Sequence, residues 1–151
     1  MKSLIALFLF LTSATSFAVT CFEAKSLPSD LEGLPTVTCV SDVSLKLVIP
    51  TLPQTPYYQF SVKTNEGELV ENKVIFREAG NKFKVAVKKV VAHTRGSGCD
   101  YSDSKVLSYS VLVDGARNIV PDSLEVEGIY TENYDECHSD DMVTIQKYSK
   151  L

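Results

Sequence analysis

The feature that most restricts this chain is an apolar period of two, recurring along its length and nowhere replaced by a helical period. From Val37 to Ile49 the odd positions read Val37, Cys39, Ser41, Val43, Leu45, Leu47 and Ile49, while the even ones include Thr36, Thr38, Asp42, Ser44 and Lys46. Successive side chains of a strand point to opposite faces, so this alternation predicts one long half-buried strand, or two with a kink at Ser41-Asp42, with the apolar face on the odd residues. The pattern returns in Tyr57 to Lys63, with Tyr58, Phe60 and Val62 together, and in Val106 to Val113, with Leu107, Tyr109, Val111 and Val113 together. In Lys82 to Val91 it sets Phe83, Val85 and Val87 against Lys82, Lys84 and Lys88, then slips at Lys88-Lys89, the mark of a bulge or of the end of regular pairing. Further strands are expected over Leu69 to Phe76, Leu124 to Tyr130 and Met142 to Tyr148. No apolar repeat persists for three helical turns; at most Ser29 to Glu32 forms a short turn of helix.

Turn chemistry punctuates these runs. Thr64-Asn65-Glu66-Gly67, Ala79-Gly80-Asn81 and Asp114-Gly115 are turn sequences in which Gly supplies backbone freedom. Pro50 to Pro56 carries three prolines, which remove ladder donors and make it a stiff connection. A glycine-rich loop is expected from His93 to Ser104 and an acidic one from Thr131 to Asp141. Seven or eight strands with short connections predict an all-β domain, an antiparallel sandwich or small barrel of meander or Greek-key type.

The first eighteen residues have the three parts of a secretory signal: Lys2, the apolar run Leu4 to Leu11, and a small-residue end at Ser16-Phe17-Ala18. Cleavage is expected after Ala18, leaving an irregular lead-in (19–35) and a single β domain (36–151). The apolar run is shorter than the roughly 20 residues a spanning helix needs. Export to a periplasm or to the outside follows, with no transmembrane segment. A lipid anchor on Cys21 fits poorly, because Thr20 stands where a small residue is wanted. In an oxidising compartment the four cysteines, Cys21, Cys39, Cys99 and Cys137, predict two disulfides. Strand parity opens the loops carrying Cys99 and Cys137 at one end but puts Cys39 there too, so it does not settle the pairing. Locality, with the lead-in folding Cys21 back to Cys39, favours Cys21–Cys39 and Cys99–Cys137. The cysteines include no Cys-x-x-Cys pair to start a zinc knuckle.

The net charge of −4 argues against a general nucleic-acid binder, which needs a basic surface. Its distribution is uneven. Lys73, Arg77, Lys82, Lys84, Lys88, Lys89 and Arg95 cluster in one stretch, whereas Asp122 to Asp141 holds acids and no Lys or Arg. Arg77, Lys82, Lys84, Lys88 and Arg95 are thus a candidate face for a protein or envelope partner. The plainer reading is that basic and acidic strands lie side by side and neutralise each other.

Glu132, Asp135, Glu136, His138, Asp140 and Asp141 are potential ligands for calcium or zinc, without the spacing of a calcium loop, and no cofactor is otherwise implied. His93 and His138, with nearby acids, could serve a small hydrolase or metal enzyme, but neither a His-Glu-x-x-His helix nor a Gly-x-Ser-x-Gly elbow is present. The expectation that follows is a non-catalytic exported module binding a partner through its loops or charged faces. Presentation of loop 50–56 or 92–104 to a secreted enzyme is a variant of it. The alternatives are a carrier of apolar small molecules in an internal cavity, and the small enzyme just described.

Overall fold

The computed structural model describes residues 18–51, 53–96, 101–134 and 140–151. Its described part is all-β apart from one 3-10 turn at Ser29–Leu31. Ten strands form two five-stranded antiparallel sheets. The first sheet runs in the order β10 (Ser149–Lys150), β1 (Thr20–Glu23), β2 (Val37–Val48), β3 (Tyr57–Thr64) and β4 (Gly67–Asn72). The second runs in the order β5 (Arg77–Ala79), β6 (Lys82–Arg95), β7 (Tyr101–Val113), β8 (Glu125–Tyr134) and β9 (Met142–Lys147).

One apolar core joins the sheets. Phe22, Val40, Phe60 and Val62 from the first meet Val85, Val87, Leu107, Tyr109, Val111, Val113 and Val126 from the second. Two buried hydroxyls satisfy each other across the sheets: Tyr109 Oη and Thr38 Oγ1 share a hydrogen bond of 2.8 Å. Leu31, Leu34 and Tyr130 form a satellite cluster that seats the 3-10 turn on β8. Gly128 makes that approach possible, because a Cβ there would lie 2.8 Å from Leu34 Cδ1. Tyr148 completes the closure, its hydroxyl donating to the Pro35 carbonyl at 2.6 Å. At one edge the Arg117 guanidinium lies 4.0 Å from the Phe76 ring centre and 4.3 Å from that of Phe83, tying the β7–β8 connection to β6 and to the residue just before β5.

Several expectations need correction. Among the described residues the strand count is ten rather than seven or eight, because β1, β5 and β10 span only two to four residues each, too short to complete an alternation. Part of the stretch read as an irregular lead-in is therefore β1, paired with both β2 and β10. The apolar parity assigned to Val37–Ile49 fails at both ends. A register shift between Val40 and Asp42 puts Thr38 and Val40 in the core before it and turns Val43 and Leu45 inward after it, while Val37, Leu47 and Ile49 are exposed. The irregularity in β6 falls between Val90 and Ala92, and pairing then resumes to Arg95, so the expected 93–104 loop is largely ladder.

The Cys21–Cys39 disulfide is present, joining directly opposed residues of β1 and β2. Only this bridge of the expected two is seen: Cys99 and Cys137 lie outside the described residues. No helix among the described residues is long and apolar enough to cross a membrane.

Candidate functional site

Residues on the core face of the β5–β9 sheet are odd in β6 and β7 and even in β8, so its outer face carries Lys84, Ala86 and Lys88 on β6, Ser108 and Ser110 on β7, and Glu125, Glu127 and Ile129 on β8. Cross-strand register sets Ala86 opposite Ser110, and Ser108 between Lys88 and Glu127. Three small side chains in adjacent rungs make a trough between longer ones. Ser108 and Ser110 are only 5% and 2% exposed although they face away from the core. The resulting groove has a volume of about 400 Å³, with Arg77, Lys84 and Lys88 on one bank, Glu127 and Ile129 on the other, and Glu71 and Ile75 at one end.

Its electrostatics are partly internal. Lys84 Nζ reaches over β7 to Glu125 Oε2 at 2.9 Å, and that hydrogen bond holds the Glu125 carboxyl below its usual range. Lys147 of β9 lies 3.8 Å from Glu127. Lys89, on the opposite parity, pairs with Glu66 of the β3–β4 turn. Among the described residues, neither Arg77 nor Lys88 has a carboxylate within salt-bridge distance. Of the five basic residues singled out from sequence, Arg77, Lys84 and Lys88 converge on the groove; Lys82 stands at the β5–β6 turn and Arg95 near the far end of β6.

A second concavity, of about 340 Å³, opens at one end of the core between β1, β2 and the connection 114–124. Phe22, Val40, Val43, Val111, Ile119 and Leu124 line it, with Asp42, Asp122 and Lys150 at the lip. Lys150 and Asp122 pair there at 3.5 Å. The wall formed by the connection is held by Asp114, whose Oδ1 accepts the backbone N–H groups of Ala116 at 2.9 Å and Asn118 at 2.8 Å. Those bonds, chiefly the one from Asn118, keep the Asp114 carboxyl ionised below its usual range.

The residues proposed as metal ligands are only partly in view. Asp135, Glu136 and His138 lie outside the described residues; Glu132 is on β8, and Asp140 and Asp141 are exposed just before β9. His93 is exposed on β6, opposite Ser104. No group of three or more His, Cys, Asp or Glu side chains close enough to share an ion occurs among the described residues.

Glu132 instead belongs to a tyrosine cluster that sequence reading missed. Tyr101 Oη and Tyr130 Oη each donate to Glu132 Oε1 at 2.9 Å, Asp103 Oδ2 lies 3.2 Å from Tyr101 Oη, and the Tyr134 ring packs on Tyr101 with centres 5.2 Å apart. Hydrogen bonding to Tyr130 and Glu132 keeps the Tyr101 phenol protonated far past its usual range. The alternation Tyr130-Glu132-Tyr134 was a usable signal, but its partners on β7 are set by long-range register.

No protein-family model, no curated protein and no solved structure matches this chain.

Proposed function

We propose that this chain is an exported, non-catalytic binding module that takes a protein partner in the charged groove on the outer face of β6, β7 and β8. The observation that carries the reading is the trough of Ala86, Ser108 and Ser110 flanked by Arg77 and Lys88, two cations without a carboxylate partner among the described residues. A trough one side chain deep admits an extended segment or a protruding side chain, and unpaired charges on its bank steer an acidic partner and fix its register. The disulfide supports export, being a bond that persists in oxidising compartments.

The test places a photo-crosslinking amino acid at Ala86, on the groove floor, and separately at Val70, on the edge of the other sheet, in cells that export the protein. A discrete adduct from position 86 is expected, reduced at least about tenfold in an Arg77→Glu/Lys88→Glu background, since like charges facing a complementary patch cost that much or more. Equal adducts from both positions, or none from position 86 in folded, exported protein, would overturn it.

The apolar cleft favours a second reading, a carrier of small apolar molecules. Its volume and its mostly aliphatic lining with few polar groups match the general character of ligand pockets. Binding of an apolar compound with a negative heat-capacity change, lost on filling the cleft with Leu124→Trp, would support this reading; no uptake of any apolar compound would remove it.

A further inference from the structure

The strand β9 is the outer edge of its sheet, and its ladder with β8 shows which of its backbone groups are spent. Tyr148 N–H donates to the Val126 carbonyl in the register of that ladder. In an antiparallel pair, hydrogen-bonded and non-hydrogen-bonded rungs alternate. Hence even residues of β9 exchange bonds with β8, and Val143, Ile145 and Lys147 turn their N–H and C=O groups away from it. Those same odd residues carry their side chains on the outer face, where Val143 and Ile145 are 57% and 56% exposed.

Other edges are blunted. β5 and β10 span three and two residues, β4 carries Glu68 and Glu71, and the part of β6 beyond β5 has Lys88, Lys89, Arg95 and a bulge. Each is a recognised guard against strand addition. From Met142 to Gln146, β9 has no charge, no proline and no bulge.

Read outward, the odd positions run Asp141, Val143, Ile145, Lys147: an acid at one end, a base at the other and two β-branched apolar residues between. That order is self-complementary in reverse. We infer that β9 pairs with β9 of a second copy of this chain across a two-fold axis at Thr144. In that register Val143 meets the partner's Ile145 in a hydrogen-bonded rung, and Asp141 meets the partner's Lys147. A shift by one residue would set outward groups against spent ones, and a shift by two would move the acid off the base. The local contacts among the described residues are weak: Asp141 accepts a 3.4 Å bond from Tyr134 N–H, Lys147 lies 3.8 Å from Glu127 with 74% of its side chain in solvent, and the Gln146 amide on the Lys147 carbonyl can exchange for a backbone donor. The two-fold is perpendicular to the sheet, so both charged grooves face the same side. This surface does not depend on the groove having a ligand.

Sedimentation velocity of the folded chain over a wide concentration range tests it. Reversible dimerisation is expected. Asp141→Lys and Lys147→Asp, each alone, should weaken it by roughly tenfold by setting like charges opposite, and the two together should restore it. Ile145→Pro should abolish the dimer while leaving the circular dichroism of the monomer unchanged, because the lost N–H points away from β8. The inference is overturned by a monomer at every concentration up to about 1 mM. It is also overturned by a dimer indifferent to Ile145→Pro, by charge swaps without effect, or by a monomer whose β9 instead takes an extended peptide of another protein.

Discussion

Single residues decide how the lead-in closes on the second sheet. Gly128 gives Leu34 its place, with Tyr148 Cε2 a further 3.4 Å from where a Cβ would stand. Gly128→Ala should cost about 1–3 kcal/mol through overpacking, read as a lower urea midpoint with unchanged slope. Leu34→Ala in that background should recover part of the loss, because the two sites share one contact. Burial pushes the Tyr148 phenol up to about 12, against an unfolded value near 10. The folded state thus holds a proton that the unfolded chain loses first. The stability this contributes is intact below about pH 10 and disappears as pH rises through about 12. Tyr148→Phe should flatten that alkaline loss, as followed by thermal unfolding against pH, and should cost about 1 kcal/mol at neutral pH for the bond to Pro35. Neither role was legible in the sequence. Gly128 looked like one more residue of a strand, and Tyr148 like the end of one, because the contact that matters comes from more than ninety residues earlier in the chain.

At the scale of elements, long alternating runs were legible and short ones were not. β7 and β3 follow directly from Leu107-Tyr109-Val111-Val113 and Phe60-Val62, whose buried face is the one their period selects. β2 shows the limit: its period continues unbroken in sequence, yet the shift between Val40 and Asp42 exchanges the faces, since a single extra residue inverts everything beyond it. β1 and β10 exist because each has a neighbour, β2, or β1 itself, and the disulfide holds the first pair together. With 18 residues separating Cys21 and Cys39, chain-entropy reasoning gives the bridge about 3 kcal/mol. Cys21→Ser/Cys39→Ser should lose about that much, and amide exchange should rise in Thr20–Glu23 and Ser149–Lys150 before the rest of the molecule. Equal acceleration everywhere would contradict this assignment. The other two cysteines have only each other left as partners in the chain. Tyr101, two residues after Cys99, and Tyr134, three before Cys137, are directly opposed on β7 and β8. We propose a Cys99–Cys137 bridge, and mass mapping of non-reduced peptides should recover it; two free thiols in the folded protein would refute it.

For the whole molecule, the division of charge along the sequence becomes a division across one sheet. The basic strand β6 and the acidic strand β8 flank β7. Lys84–Glu125 neutralises one diagonal pair across β7, while Arg77 and Lys88 stay without a carboxylate among the described residues. The groove between them could not be seen in sequence, because Ala86, Ser108 and Ser110 are unremarkable until β6 and β7 are in register. Everything proposed for the outer face rests on β7 lying between those strands with its odd residues turned to the first sheet. Nuclear Overhauser contacts of the folded protein test this most directly. Ser108 should show contacts to Lys88 on one side and Glu127 on the other, and Tyr109 should contact Thr38 across the core. Contacts that seat β6 or β8 against any strand other than β7, or that turn Tyr109 away from Thr38, would contradict the account.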